Sequence, residues 1–367
     1  MGLLCHVENL LALLFTVLAV SFASTVEYEE RAAREGWLRS EQEMKWLYEE
    51  WAVEHDKSYS EQGEKEKRFQ VFKENLRFID EHNRPENNHT STVGLNQFAD
   101  LTDEEFRALY LSAPINVSAA PSPPVTSRYA PMAGQVLPYT VDWRTWGAVS
   151  RVKNQGTCES CRAFATVATI EGLNKIVTGN MVTLSEQELV DCDQRNQGCQ
   201  PGYIQFTYDY VVRNGGIDTD WRYPYTGVQG MCRPNRARAV RISSYERVPN
   251  YNEYALRRAV ANQPVSVTIE AHGRAFRFHR SGVFTGECGT SIDHFVTVIG
   301  YGREYNGIDY WLLKNSWGPS WGQGGVGMIQ RNFGGAGKCG ILIQSVYPVM
   351  RRWTPSDADG EGTRSSE

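Results

Sequence analysis

Between residues 41 and 110, apolar side chains recur every three or four positions in a strongly charged background. Phe69, Phe72, Leu76 and Ile79 share this spacing, with Lys, Glu and Arg between them. The pattern predicts amphipathic helices over 41–48 and 61–83. Thr102, followed three residues later by Glu105, predicts a further helix start, because the two side chains can cap each other's backbone. Residues 113–131 contain five prolines among small residues. Such a stretch cannot build a packed core and reads as an exposed linker open to proteolytic nicking.

From Leu137 onward Trp, Gly, Cys and Tyr become frequent, marking the main folded body. Residues 161–177 are apolar on all sides through Phe164, Val167, Ile170, Leu173 and Ile176, and run into Thr178-Gly179. That predicts a centrally buried helix with Gly179 as its stop. Ser185-Glu186-Gln187-Glu188 opens another helix. The later half is strand-like: Val265, Val267 and Ile269 alternate with Ser266 and Thr268, and 295–301 and 310–313 are rich in aromatic and branched residues. Helices followed by strands predict an α+β body with two lobes, whose cleft is the expected ligand site. The polar residues 351–367 read as a disordered tail, and there is no internal repeat.

Composition narrows the class. The 367 residues are 41% hydrophobic and 22% charged, which excludes a disordered, collagen-like or multispanning chain. The net charge of -5, from 38 basic and 43 acidic residues, gives no basic footprint for nucleic acid. Residues 10–23 form an apolar run of 14, shorter than the ~20 needed to span a bilayer. Ser21-Phe22-Ala23 supplies a cleavage signal, so residues 1–23 are expected to be a secretory signal peptide. The preceding segment has no Lys or Arg, which leaves an uncleaved anchor as the alternative. The secretory route permits disulfides. Cys5 would leave with the signal, and the seven remaining cysteines imply one unpaired thiol. No His pair has ligand spacing, so neither a metal nor a cofactor is expected.

Cys161 lies where the buried helix begins, after the polar loop Lys153-Asn154-Gln155-Gly156. A helix N-terminus favours an anion and so a thiolate. His272, His279 and His294 are the bases available in the body. His294 begins a strand and Asn315 ends the next. A connecting loop symmetric about Gly302 and Gly307 sets His294 directly opposite Asn315, where the amide could orient the imidazole. A tight turn at Asn306-Gly307 sets it opposite Pro319 instead. With the first register, Cys161, His294 and Asn315 make a nucleophile, a base and an orienter for acyl transfer.

These residues resemble the papain-like cysteine proteases, in particular the plant members. Gln155-Gly156-Thr157-Cys158-Glu159-Ser160-Cys161 is similar to the nucleophile segment, and Asp293-His294 and Asn315-Ser316-Trp317-Gly318 to the other two blocks. Glu64, Arg68, Phe72, Asn75, Ile79 and Asn83 reproduce the ERFNIN spacing of the family's prosegment. Gly94, Asn96, Phe98 and Asp100 reproduce its companion GNFD motif. The resemblance runs from about Glu41 to Pro348. It implies a helical inhibitory propeptide (24–136) and a two-lobed catalytic domain (137–350), with a helical first lobe and a β-barrel-like second lobe. It further implies bridges Cys158–Cys199, Cys192–Cys232 and Cys288–Cys339.

The implied activity is that of an endopeptidase made as a zymogen. Cys161 attacks as a thiolate beside protonated His294, and the Gln155 side chain and the Cys161 N–H form the oxyanion hole. Trp317 shields the Asn315–His294 hydrogen bond. Gly202 pairs its backbone with the substrate, and Tyr203, Ile204, Thr268, Phe295 and Gln344 line the pocket for the second residue before the scissile bond. Implied partners are polypeptide substrates, the chain's own propeptide lying in the cleft, and cystatin-like inhibitors. The protein is expected to be a monomer on the secretory route, extracellular or in a vacuole or lysosome.

The chain also departs from the family. Glu159 and Arg162 replace a usual Gly and Trp beside the nucleophile, and are expected to pair with each other. If the Gly site needs a positive φ, Glu159 would be strained there. Pro201 replaces a Gly and removes a backbone donor. Phe295 replaces a small residue and predicts a shallow pocket. These departures motivate the alternative of a catalytically impaired pseudoenzyme with a peptide-binding, regulatory or storage role. Asn88-His89-Thr90 and Asn116-Val117-Ser118 are acceptor sequons, and the prosegment is expected to end near Gln135 to Leu137.

Overall fold

The structure, a computed structural model, describes residues 39–119, 123–125, 128–129, 136–233 and 237–350. The expected signal peptide, parts of the proline-rich stretch and the tail at 351–367 lie outside the described residues. The chain divides into two units after Phe69. In the first, helix α1 (Glu41–Glu54) starts at a capping box in which Ser40 and Glu43 satisfy each other's backbone N–H. Tyr48 packs its ring 5.2 Å from Phe69 and 5.9 Å from Trp51. Arg68 pairs with Glu64 one turn earlier at 2.6 Å. Helix α2 spans Gln62–His82.

The second unit begins within α2. Phe72, Leu76 and Ile79 are buried, as their spacing predicts. The two asparagines of the same motif have backbone tasks. Asn75 Nδ2 donates to the carbonyls of Ala99 and Leu101, and Asn83 exchanges two hydrogen bonds with Val93. They fix strand β1 (Ser91–Val93) and the turn that follows it. Asn96 donates to the Arg277 carbonyl at 2.8 Å, while the Arg277 guanidinium returns to Asn75, Thr102 and Asp103. Helix α3 (Asp103–Tyr110) opens at the expected Thr102–Glu105 capping box.

Helix α4 (Cys161–Thr178) is the buried helix and ends at Gly179, whose φ of 78° is left-handed. Helices α5 (Glu186–Cys192, capped by Ser185) and α6 (Ile204–Arg213) pack beside it, and α7 (Glu253–Val260) and the short α8 (Arg274–Arg277) follow. The remaining strands are β2 (Val141–Asp142), β3 (Ser244–Arg247), β4 (Val265–Ile269), β5 (His279–Phe284), β6 (His294–Arg303), β7 (Asp309–Lys314), β8 (Val326–Gln330) and β9 (Ser345–Val349). Their order in the sheet is β1-β5-β8-β7-β6-β4-β9-β3, with β2 paired to β6. The second lobe is therefore an open sheet among the described residues and not a closed barrel. Strand β1, which lies in the region expected to be the prosegment, occupies one edge of it.

Side chains tie helix to sheet. The Tyr208 hydroxyl lies 2.6 Å from Thr169 Oγ1 and 2.9 Å from Ser266 Oγ, and Ser266 donates to the Ala165 carbonyl. Lys153, almost fully buried, joins Glu171 at 3.3 Å, Glu186 at 2.7 Å and the Leu184 carbonyl at 2.8 Å. Burial pushes the Glu186 carboxyl up to about 7 against the pull of Lys153. The three bridges are Cys158–Cys199, Cys192–Cys232 and Cys288–Cys339, and among the described residues Cys161 is left as a buried free thiol.

The β6–β7 register corrects both sequence expectations. Arg303 faces Asp309, and the loop closes through Glu304 N to the Ile308 carbonyl at 2.9 Å. An irregularity between Val298 and Gly300 then shifts the pairing, so Thr297 faces Lys314. Neither Asn315 nor Pro319 lies opposite His294. The chain leaves β7 at Lys314, and that departure, rather than strand pairing, carries Asn315 to the imidazole.

Candidate active site

Cys161 is the first residue of α4, and its thiol is buried against the Phe295 backbone and the Ser112 hydroxyl. Desolvation raises the thiol above its ordinary range. The Phe295 backbone, the Arg162 charge and Ser112 pull the other way. His294, the first residue of β6, is fully buried, and its Nε2 lies 2.8 Å from Asn315 Oδ1. Asn315 Oδ1 also accepts from the Ser316 N–H at 2.8 Å, which fixes the amide. Burial pushes His294 down to about 4, opposed by the Asn315 hydrogen bond. Among the described residues its Nδ1 has no hydrogen-bond partner.

The structure separates the three histidines. His272 Nδ1 lies 2.9 Å from Asp293 Oδ2, with Glu270 3.8 Å from its other nitrogen, so this ring is taken by carboxylates. His279 is buried against Trp321 and Phe284. Trp317 is fully buried and stacks on His294 with ring centroids 4.6 Å apart. Its ring therefore lies against the imidazole that holds Asn315.

Gln155 is fully buried. Its Nε2 donates to the Cys158 carbonyl at 3.2 Å and to the prosegment carbonyl of Tyr110 at 3.4 Å. Its Oε1 accepts from the Ser316 hydroxyl at 2.7 Å. The prosegment continues past Tyr110 along the same groove. Ser112 N donates to the Asp293 carbonyl and Ile115 N to the Ile292 carbonyl, both at 2.9 Å. Phe98 and Phe106 set their rings edge-on to Trp317, at 5.5 and 5.3 Å. Sequence reasoning missed Ser112, Ile115 and Ser316. Ser316 sits between two motif residues, yet nothing in the string reveals that its hydroxyl turns back to Gln155.

The expected pocket residues are only partly gathered. Thr268 and Phe295 face each other across β4 and β6, and Thr268 N donates to the Gln344 carbonyl at 3.1 Å. Phe295 and Ile204 share one apolar cluster with Cys161, and the prosegment's Ile115 packs on it. Tyr203 is half-buried and turns its ring edge-on to Phe206 at 5.6 Å. Gly202 lies in the loop before α6, and an added Cβ would fall 2.2 Å from Asn196 Oδ1.

Two expectations about the departures are corrected. Arg162 does not pair with the Glu159 carboxylate: its guanidinium donates to the Glu159 carbonyl at 2.8 Å, and Glu159 Oε2 is buried without a hydrogen-bond partner among the described residues. The reason is the nearby turn at 196–200, which offers Arg162 three more carbonyls. The Glu159 backbone stays out of the left-handed region, so no strain follows from the missing Gly. Asn88 and Asn116, the sequon asparagines, are both exposed.

Comparison with known proteins agrees with this arrangement. Residues 137–349 match the model of the papain family cysteine proteases, and residues 48–106 match the cathepsin propeptide inhibitor domain. The chain is 48% identical to cysteine proteinase RD21A of Arabidopsis thaliana, covering 94% of this chain and 76% of that protein. The proform of the ragweed pollen cysteine protease Amb a 11 superposes with a TM-score of 0.78 at 38% identity, over 85% of this chain and 96% of that one. Bromelain from Ananas comosus, solved with the E64 inhibitor, is 41% identical and covers 59% of this chain and all of its own, with a TM-score of 0.57. These relatives are proteases, which does not favour the pseudoenzyme alternative. With its matched catalytic and propeptide domains, the chain belongs to the papain family of cysteine proteases and is the zymogen of such an enzyme.

Proposed function

We propose that Cys161, His294, Asn315 and Gln155 perform the peptide-bond hydrolysis of this protease. The observation that carries the reading is the 2.8 Å contact of His294 Nε2 with Asn315 Oδ1, which leaves Nδ1 without another partner among the described residues. In this reading Nδ1 takes the thiol proton. Sγ then attacks the peptide carbonyl carbon. The oxyanion is held by Gln155 Nε2 and the Cys161 N–H, the first donor of α4. His294 returns its proton to the leaving amine, and a thioester on Sγ remains. Water, deprotonated by the same imidazole, hydrolyses it and restores the thiol.

The same geometry accounts for latency. Tyr110 presents its carbonyl to the oxyanion donor, and desolvation holds thiol and imidazole neutral together, the thiol raised and the imidazole lowered. Removing the prosegment readmits water and lets the charged pair form. The prosegment is released near residues 135–137. Residues 1–23 direct the chain to the secretory route, with the extracellular space or a vacuole or lysosome as destination. No helix among the described residues is long and apolar enough to cross a membrane. The processed enzyme is a monomer open to cystatin-like inhibitors, and Asn88 and Asn116 accept glycans in the prosegment.

Gly202 binds substrate as an added strand, and Tyr203, Ile204, Thr268, Phe295 and Gln344 form the pocket for the second residue before the cut. The bulk of Phe295 makes it shallow, and Glu159 favours a basic residue just before the scissile bond. Profiling the processed enzyme on a peptide library tests both the activity and the pocket. The expected profile favours small aliphatic side chains at the second position. A preference for Phe or Tyr there would refute the pocket, and no cleavage at all would refute the catalytic assignment.

A further inference from the structure

Arg162, directly after the nucleophile, is 2% exposed and, among the described residues, has no ion-pair partner within reach of its nitrogens. Its guanidinium is occupied by backbone instead. Nη1 donates to the carbonyls of Glu159 at 2.8 Å and Gln200 at 2.9 Å, and Nη2 to those of Asn196 at 3.2 Å and Gly198. Three of these four carbonyls come from five consecutive residues. They converge because Gln197 and Gly198 are both left-handed, with φ of 50° and 66°. A non-glycine residue is strained there, so the turn needs compensation, and the planar cation offers enough donors to supply it.

What this turn supports is the substrate-pairing backbone. Asn196 grips Tyr203 from both sides, accepting from its N–H at 2.8 Å and donating to its carbonyl at 3.1 Å. A Cβ on Gly202 would lie 2.2 Å from Asn196 Oδ1 and 3.1 Å from Arg162 Nε, so these two side chains form the floor beneath Gly202. The Nε itself is buried and has no hydrogen-bond partner among the described residues.

We propose that Arg162 is a positioning residue for substrate binding, its guanidinium holding the 196–200 turn and, through it, the Gly202 backbone that pairs with the peptide. The proposal rests on the assignment of Gly202 as the substrate-pairing residue and of Cys161 as the nucleophile. Arg162 links the nucleophile helix to the binding loop, as the Cys158–Cys199 bridge does covalently. The fork is what matters: a lysine keeps the charge but cannot reach four carbonyls at once.

The test compares the unsubstituted processed enzyme with Arg162→Met and Arg162→Lys. Two readouts are used: hydrolysis of a fluorogenic peptide with three residues before the cut, and alkylation by iodoacetamide, which needs the thiolate but not Gly202. The expected result is a KM raised about tenfold in Arg162→Met and at least about threefold in Arg162→Lys. The kcat and the alkylation pH profile should stay close to those of the parent, because a misplaced binding backbone weakens binding and not the nucleophile. Faster amide exchange confined to residues 198–203 of Arg162→Lys supports the same conclusion, and serves alone if Arg162→Met does not fold. An unchanged KM and unchanged exchange in Arg162→Lys overturn the proposal. So does an alkylation profile that shifts in Arg162→Met while Arg162→Lys matches the parent, which would make the residue an electrostatic element of the nucleophile. Failure of the unsubstituted enzyme to be alkylated would overturn the Cys161 assignment instead.

Discussion

The contact that holds the prosegment over the proposed active site can be weakened at one ring. Phe106 is fully buried and sits edge-on to Trp317 at 5.3 Å and to Phe98 at 5.0 Å, under the Arg277 guanidinium at 5.2 Å. Truncating a buried Phe to Ala costs about 3–5 kcal/mol, of which each aromatic pair contributes about 0.5–1.5. Part of that loss falls on packing within the prosegment. Taking the lower figure of about 3 kcal/mol for the step that lifts the prosegment off Trp317, the open fraction rises by about two orders of magnitude, since each 1.4 kcal/mol is tenfold. Cys161 is reachable only when that step has occurred, so alkylation of the proform follows the open population. The assay is iodoacetamide modification of the full chain at pH 7.5, followed by intact mass. Phe106→Ala should react about a hundredfold faster than the parent proform. Once processed, the two should react alike, because Phe106 has then been removed. A proform rate within threefold of the parent would refute the role given to the Phe106–Trp317 contact.

Three further outcomes follow from the same structure. Gln155→Ala should lower kcat by about 10²-fold, as loss of one oxyanion donor does, while thiol alkylation continues; steady-state kinetics beside iodoacetamide labelling checks this. Lys153→Met leaves Glu171 and Glu186 buried without their cation and should cost about 3–5 kcal/mol in denaturant unfolding. That loss should shrink as pH falls, because the Glu186 carboxyl, already pushed up to about 7 by burial, becomes neutral on protonation and no longer needs its cation. Burial lowers the pKa of His82 in the docked prosegment, where its ring stacks on His89 with centroids 3.9 Å apart and its Nε2 lies 3.2 Å from the Ser91 carbonyl. A base held below its ordinary range favours the docked state at neutral pH and opposes it as pH falls below that range. Maturation should therefore be faster at pH 5 than at pH 7.5, and His82→Gln should flatten that dependence when processing is followed by gel.

Much of the fold is legible in the sequence because local rules and burial agree there. The periodic run through Phe72, Leu76 and Ile79, the Thr102–Glu105 box and the all-round apolar face of 161–177 ending at Gly179 each reappear as read. The odd thiol also survives, since the bridges leave Cys161 unpaired among the described residues. What the string does not carry is long-range geometry. The irregularity between Val298 and Gly300 shifts β6 against β7, and no periodicity announces it. Asn315 reaches His294 only because the strand ends one residue earlier. Charge spacing suggested that Arg162 would turn to Glu159, yet the carbonyls of a turn more than thirty residues away compete better. The open sheet edge is likewise set by where the prosegment strand pairs, which local patterning leaves undetermined.

The central claim is that Cys161 is a nucleophile made reactive by His294 once the prosegment has gone. The most direct measurement is the pH dependence of epoxide-peptide labelling of the processed enzyme, with the modified residue located by mass spectrometry. The account predicts one adduct, on Cys161, formed rapidly at acidic pH where a lone thiol would be inert, and slowed by at least about a hundredfold in His294→Ala. Labelling that appears only above pH 8, that falls on another residue, or that is indifferent to His294→Ala would contradict it.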